Sequence, residues 1–234
     1  MADTLAGAGI ASLRTDKRGI GASAAAAPAE VDMRLSTYVD DAAAWATWLK
    51  GQPGVKCVVL AGHSEGVLIA LLAAQKVSVC GVVSLEGAGR SLAEVLKDQL
   101  QHGLQEPLRA QALAAVDQLA AGKTVVDPPP QLASMFRPSV QPYMISELSV
   151  DPAAEARKLR GPLLLVQGDR DQQVTLVDFE RLKAVRPDAA TLLVPGMIHP
   201  LKVVAPVPGQ TVNLTNLPLA PGVGETVVKF VKGL

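Results

Sequence analysis

Cys57-Val58-Val59-Leu60-Ala61-Gly62-His63-Ser64-Glu65-Gly66-Val67-Leu68-Ile69-Ala70-Leu71-Leu72 joins two apolar runs through a Gly-x-Ser-x-Gly turn. The first run is short and rich in valine, the pattern of a strand covered on both faces. The second opens a longer helical stretch, Gly66–Lys76. Strand, sharp turn and helix in that order lift the Ser64 hydroxyl out of the end of a sheet. The glycines permit the close backbone approach that such a turn demands. A helix N-terminus beneath the serine favours negative charge developing beside it.

Outward from this stretch, similar apolar runs recur at Gly9–Arg14, Val79–Leu85, Pro162–Gln167 and Ala190–Val194, with Val55–Ala61 leading into the turn. Each is predicted to be a strand. Helical patterns separate them at Ser36–Gly51, Gly66–Lys76 and Leu176–Val185, and a last one covers Gly222–Lys232. This alternation predicts an α/β fold, a mostly parallel sheet with helices on both faces. Between Ser91 and Leu159 the alternation stops. That region holds helical stretches, Leu92–Gln101 and Leu108–Leu119, and the breaker Pro128-Pro129-Pro130. It is too long for a loop and is read as a helical lid over the sheet, too short for a core of its own. The expected organisation is a core of residues 1–90 and 160–234 with a lid of residues 91–159.

Composition narrows the function classes. Among 234 residues, 49% are hydrophobic and 19% charged, so the chain is a folded globular protein. Aromatic residues make up 3%, leaving Ala, Val and Leu to build the core. The 22 basic and 22 acidic residues cancel, with none of the charge clustering of a nucleic-acid binder. No apolar run reaches membrane-spanning length, and no signal-peptide layout opens the chain, which predicts a soluble, cytoplasmic protein. Cys57 and Cys80 fall in two of the apolar runs and are expected to pack as reduced thiols. Neither a metal nor an organic cofactor is implied.

A serine nucleophile needs a base, and the chain has three histidines. His63 lies inside the turn, where its side chain would point away from the Ser64 hydroxyl. His102 belongs to the insertion. His199, in Gly196-Met197-Ile198-His199, follows the last strand and can reach the sheet edge where Ser64 emerges. The acid should lie between them in sequence. Gly168-Asp169-Arg170-Asp171-Gln172-Gln173-Val174 offers two carboxylates at a strand end, and Glu86 sits at the end of Val79–Leu85. A buried carboxylate there would fix the His199 tautomer and stabilise its imidazolium. The order of preference is Asp171, Glu86, Asp169.

With these residues in place the chain resembles an α/β-hydrolase of the lidded branch that includes serine-aminopeptidase-like and carboxylesterase-like members. Asp16-Lys17-Arg18-Gly19-Ile20-Gly21-Ala22-Ser23 is similar to the family's D-x-R-G-x-G-x-S loop. The resemblance implies Ser64 as nucleophile, Asp171 as acid through G-x-x-D-x-x-V, and His199 as base through G-x-x-H. It also implies ester hydrolysis through an acyl-enzyme, with a small-molecule ester as the partner and neither nucleic acid nor membrane. The Glu65 N–H is the expected oxyanion donor. Met135, Phe136, Tyr143 and Met144 of the lid are the expected contacts for an apolar substrate group. Two alternatives stay open: an aminopeptidase or amidase, with Glu86 or Glu147 holding the substrate amine, and an inactive truncated hydrolase serving as a binding module.

The resemblance has one gap. The family has three strands before the one leading into the D-x-R-G-x-G loop, and about a dozen residues precede that loop here. That segment normally supplies a second oxyanion donor, whose loss costs roughly a hundred- to a thousand-fold in rate. Strands one to three are therefore expected to be missing. Either Gly9–Arg14 pairs with Val55–Ala61, or a homodimer or a separate N-terminal fragment completes the sheet.

Overall fold

The apolar runs pair side by side into a parallel sheet. In the computed structural model, which describes residues 1–204 and 213–234, β1 (Val59–His63), β2 (Gly81–Leu85), β3 (Leu163–Gly168) and β4 (Ala190–Val194) lie in the order β1-β2-β3-β4. Val59 stands opposite Gly81, Val82 opposite Leu163, and Leu164 opposite Ala190. Every residue of β2 and β3 is buried, which is why these strands read as unbroken apolar runs rather than as alternations.

Alternate residues of β2 and β3 face opposite layers of helix. On one face Val82, Leu163 and Leu165 pack against α3 (Glu65–Lys76), α8 (Pro152–Lys158) and α9 (Leu176–Val185). On the other face Val83, Leu85, Leu164 and Val166 meet Val223 and Val227 of α10 (Val223–Lys232) and Leu5 of the short helix α1 (Ala2–Gly7). Helix α2 (Leu35–Lys50) lies outside α3, with Leu35 and Val39 on Leu68, Ile69 and Ala73.

Residues between β2 and β3 are helical, as expected: α4 (Leu92–Gly103), α5 (Leu108–Ala120), α6 (Ala133–Phe136) and α7 (Gln141–Leu148) precede α8. Ser91 caps α4 in a reciprocal pair with Glu94, the signature of a helix start. The sequence reading denied this insertion a core, and the structure gives it one. Leu100, Val116, Leu119, Leu132, Phe136 and Leu148 are all buried together, because α4, α5 and α7 each present an apolar stripe to the others. Helix α8 belongs to the sheet's core instead, through Ala156.

Two expectations fail. Gly9–Arg14 forms no strand; those residues are mostly exposed, with Leu13 40% accessible. Ile10 and Leu13 face Val58–Ala61 across an apolar cavity of about 290 Å³, so no ladder forms and β1 stays at the sheet's edge. The run carries too few large apolar residues to be covered on both faces. Cys57 and Cys80, expected as thiols, are joined as a disulfide with Cα atoms 5.8 Å apart. Parallel pairing sets the residues before β1 and β2 side by side, and the Cys80 N–H donates to the Val58 carbonyl at 2.8 Å.

The turn after β1 has no space for a side chain at Gly62. A Cβ there would lie 2.1 Å from the Gly66 carbonyl oxygen, whereas one on Gly66 would meet no neighbouring group within 4 Å. Gly62→Ala should cost about 3 kcal/mol or more, since backbone sits on both sides of the clash. That lowers Tm by roughly 6–12 °C for a chain of this size. Gly66→Ala should leave Tm unchanged or raise it slightly, alanine being the better helix former. Thermal unfolding followed by circular dichroism separates the two, and equal effects would refute this account of the turn.

Candidate active site

Ser64 stands between β1 and α3 with φ +55° and ψ −123°, a strained conformation for any residue with a side chain. Its N–H donates to the Leu85 carbonyl at 3.0 Å, so β2 clamps the turn. The Glu65 N–H opens α3, where no intrahelical acceptor exists.

His199 is carried by a feature the sequence reading missed, a small antiparallel hairpin of β5 (Met197–Ile198) and β6 (Lys202–Val203). Two-residue strands leave no periodic signal. The hairpin approaches β3 closely because residue 168 is glycine: a Cβ there would lie 2.2 Å from the Met197 carbonyl oxygen. The Arg170 N–H donates to that same carbonyl at 3.1 Å. Asp169, third in the order of candidate acids, accepts from the Gly196 N–H at 2.6 Å and pins the turn that leads into the hairpin.

These contacts bring the Asp171 Oδ2 to 2.7 Å from His199 Nδ1. Asp171 Oδ1 accepts from the N–H groups of Gln173 at 2.7 Å and Val174 at 3.0 Å. Burial acts to raise the Asp171 carboxyl, but the His199 ring and the Val174 and Gln173 amides outweigh it and hold the group below the usual carboxylate range. A carboxylate at Nδ1 leaves Nε2 of neutral His199 as the proton acceptor. Among the described residues, the Ser64 hydroxyl makes no hydrogen bond to His199. Such bonds often form only when substrate is bound.

His63 is directed at His199. Its Nε2–H donates to the His199 carbonyl at 2.7 Å, and the two rings lie 4.8 Å apart. Partial desolvation beside the His199 ring lowers the His63 imidazole below its ordinary value, which disfavours a second cation there. His102 lies on α4 with its side chain 79% exposed, and its ring nitrogen bonds the Asp98 carbonyl. Glu86 is wholly buried.

A cavity of about 180 Å³ opens beside Ser64, lined by Glu65, Leu92, Val95, Met144, Glu147 and Val174 among others. Of the four lid residues expected at the substrate, Met144 lines this cavity. Tyr143 donates to Glu65 Oε1 and packs edge-on against Tyr38. Phe136 does not reach the cavity: it is wholly buried in the insertion's own core, where a large apolar side chain gains most. Met135 is exposed and does not line the cavity either. Glu65 also accepts from Lys17 at 2.5 Å, which ties the Asp16–Ser23 loop to the turn. That loop is further held by a two-pronged Arg18–Asp41 pair, both bonds 2.6 Å.

Another element the sequence reading missed is Asp178, wholly buried in α9. It accepts from the Gly89 and Arg90 N–H groups at 3.1 and 2.9 Å and pairs with the Arg90 guanidinium at 2.8 Å. The loop after β2 is thereby fixed to α9. Among the described residues, no group of three or more His, Cys, Asp or Glu side chains is arranged to hold a metal ion. No helix among them is long and apolar enough to cross a membrane.

The chain is similar in sequence and in fold to known proteins. Residues 1–97 match a family described as serine aminopeptidase, S33. Esterase EstD of Thermotoga maritima is 32% identical over 142 residues, which cover 61% of this chain and 34% of that protein. The chain thus spans about a third of the length of this relative. Two solved structures share the fold: Est1E from Butyrivibrio proteoclasticus, bound to ferulic acid, and the esterase domain of a Rhodothermus marinus protein. Both are 19% identical, with TM-scores of 0.62 and 0.58, and each match covers 99% of this chain and 78% of the other.

Glu147 gives a pH test of the cavity. Burial first, and then the charge of Glu65, push its carboxyl above the usual range. A carboxyl raised in the fold keeps its proton after the unfolded chain has released it, so stability declines as pH rises above the ordinary carboxylate value. Glu147→Gln cannot ionise and escapes this decline. The Tm of Glu147→Gln relative to the native chain should therefore increase from pH 5 to pH 8. A constant or shrinking difference would mean that Glu147 is already ionised.

Proposed function

We propose that this chain is an α/β-hydrolase, and specifically a serine hydrolase that cleaves carboxylic esters through an acyl-enzyme, a reading supported by its relatives and its fold. The observation that carries the proposal is the buried Asp171–His199 pair at 2.7 Å, set on the sheet edge where the strained Ser64 emerges. Ser64 attacks the ester carbonyl while His199 Nε2 takes its proton, and Asp171 stabilises the imidazolium. The oxyanion accepts from the Glu65 N–H. His199 then returns the proton to the departing alcohol, and water repeats the sequence to release the acid.

The small cavity beside Ser64 argues for a short acyl group. Its 180 Å³ lies below the several hundred of a typical ligand site, and its walls at Leu92, Val95, Met144 and Val174 are apolar. The curated relative is itself named an esterase, which supports the same bond type. One observation favours a second reading, cleavage of aminoacyl amides. Glu147, one of the two carboxyls considered for holding a substrate amine, lines the cavity with Ser64, whereas Glu86 lies outside it. Turnover of short p-nitrophenyl esters against aminoacyl p-nitroanilides decides between them. Ester turnover at least a hundredfold the faster is expected, and the reverse order would establish the amidase.

The nucleophile and the acid are tested separately. Ser64→Ala should abolish turnover and labelling by a fluorophosphonate, with Tm within a few degrees of the native chain. Asp171→Asn should lower kcat by about 10⁴, the loss seen when an asparagine holds the base in the wrong tautomer, and Asp169→Asn by far less. Retained labelling of Ser64→Ala would refute the assignment. So would a native chain that never labels, the outcome expected of an inactive binding module.

A further inference from the structure

Glu86 ends β2 as Ser64 ends β1, and both hold positive φ, +51° and +55°. A non-glycine residue in that region costs energy and persists only where its surroundings over-determine it. At Glu86 they do so on every side. Its N–H donates to the Val166 carbonyl at 2.9 Å, and its Oε1 accepts from the Gly168 N–H at 2.9 Å. The side chain is wholly buried. Its Oε2 has no hydrogen-bond partner among the described residues, while Oε1 is held at the Gly168 N–H, three residues before Asp171, whose carboxyl is the charged neighbour acting on it.

Two buried carboxyls in hydrogen-bond contact cannot both be anionic, so one holds a proton between them. The partners decide which. Asp171 accepts from two backbone N–H groups and faces His199. Glu86 accepts from one N–H. The remaining ionisable groups nearby are committed elsewhere: Arg90 to Asp178 and Asp98 at 2.8 and 3.1 Å, and His63 to the His199 carbonyl. The proton therefore stays on Glu86.

We propose that Glu86 is a positioning residue, a neutral carboxylic acid whose Oε2–H donates to Asp171 and so sets the orientation and basicity of the Asp171–His199 pair. The line runs from the Gly168 N–H through Glu86 and Asp171 to His199. The bond from Glu86 keeps Asp171 ionised and directs Oδ2 to the ring. It also draws charge away from Asp171, which moderates the basicity of His199. Burial and the neighbouring Asp171 push the Glu86 carboxyl up to about 9, consistent with a group neutral at physiological pH.

The effect on turnover rests on the serine-hydrolase reading given above; the hydrogen bond itself does not. Kinetics and a spectroscopic measurement are therefore paired. In the native chain, kcat/KM should fall above pH 8 as Glu86 ionises and sets a second anion behind His199. Glu86→Gln retains an N–H donor that cannot ionise. It should lose less than tenfold in kcat and lose this alkaline limb. Glu86→Leu removes the donor and should lower kcat ten- to a hundred-fold with little change in KM. It should also shift the acid limb upward as Asp171 becomes the stronger base. Independently of turnover, proton NMR of the His199 Nδ1–H should show a chemical-shift change near pH 9 in the native chain and none in Glu86→Gln. An alkaline limb or NMR transition that survives unchanged in Glu86→Gln overturns the proposal. Equal kcat losses in Glu86→Gln and Glu86→Leu overturn it as well. A native chain that shows the NMR transition but neither turns over esters nor labels with a fluorophosphonate refutes the hydrolase reading and leaves the Glu86 bond standing.

Discussion

At Gly62 a Cβ would lie 2.1 Å from the Gly66 carbonyl oxygen, and at Gly168 one would lie 2.2 Å from the Met197 carbonyl oxygen. Both are contacts of backbone with backbone, where no rotamer change can make room. The first sharpens the turn that holds Ser64. The second lets the hairpin bearing His199 press onto the end of β3, three residues of chain from Asp171. The Asp171–His199 pair and the turn bearing Ser64 each depend on a strand end that carries nothing beyond Cα. The disulfide, the buried insertion and the Arg18–Asp41 pair steady the surroundings, but none of them sets these distances.

Charge near the site is lopsided. Glu65, Glu86, Glu147, Asp171 and Asp178 are all buried or half-buried around the strand ends, while Lys17 and Arg90 are the cations paired with any of them. Buried carboxylates survive as anions only where N–H donors or cations replace their water. Asp178 has a guanidinium and two amides; Asp171 has two amides and the imidazole. Glu86 and Glu147 have less, and their carboxyls are raised accordingly. The site thus sorts its acids into charged and neutral members by counting donors.

Much of this was legible in the sequence, and the reasons are specific. The turn at Gly62–Gly66 showed itself because strand, glycine, serine and helix adjoin within a dozen residues. Helices α9 and α10 were readable within a residue of their bounds because each is a periodic run closed by breakers. The pairing of Asp171 with His199 was legible because each follows a strand end by a short spacing. What escaped detection depends on pairing across the fold. Gly9–Arg14 has only Ile10 and Leu13 as large apolar residues, and strand formation needs a neighbour at ladder distance, whereas a cavity separates it from β1. The approach of Cys57 to Cys80 follows from the register of β1 on β2, which composition does not encode. Phe136 looked like a substrate contact because its burial inside the insertion depends on how α4, α5 and α7 meet.

Glu86 shows why site chemistry is harder to read than site location. In sequence it was a rival to Asp171 for one role, since both are carboxyls at adjacent strand ends. The fold makes them collaborators. Parallel register sets Ser84 against Leu165 and Leu85 against Val166, so the residue after β2 comes level with Gln167, and its side chain reaches the Gly168 N–H at the end of β3. An acid at 86 is thereby held beside the loop of an acid at 171, and one of the two must be neutral. With more donors directed at Asp171, the proton resides on Glu86, and the anion is left facing His199. A glutamine would offer the same donor without the proton. What only the acid adds is a response to pH, and a chain that keeps an acid there ties its candidate triad to the protonation of a group that touches neither serine nor histidine.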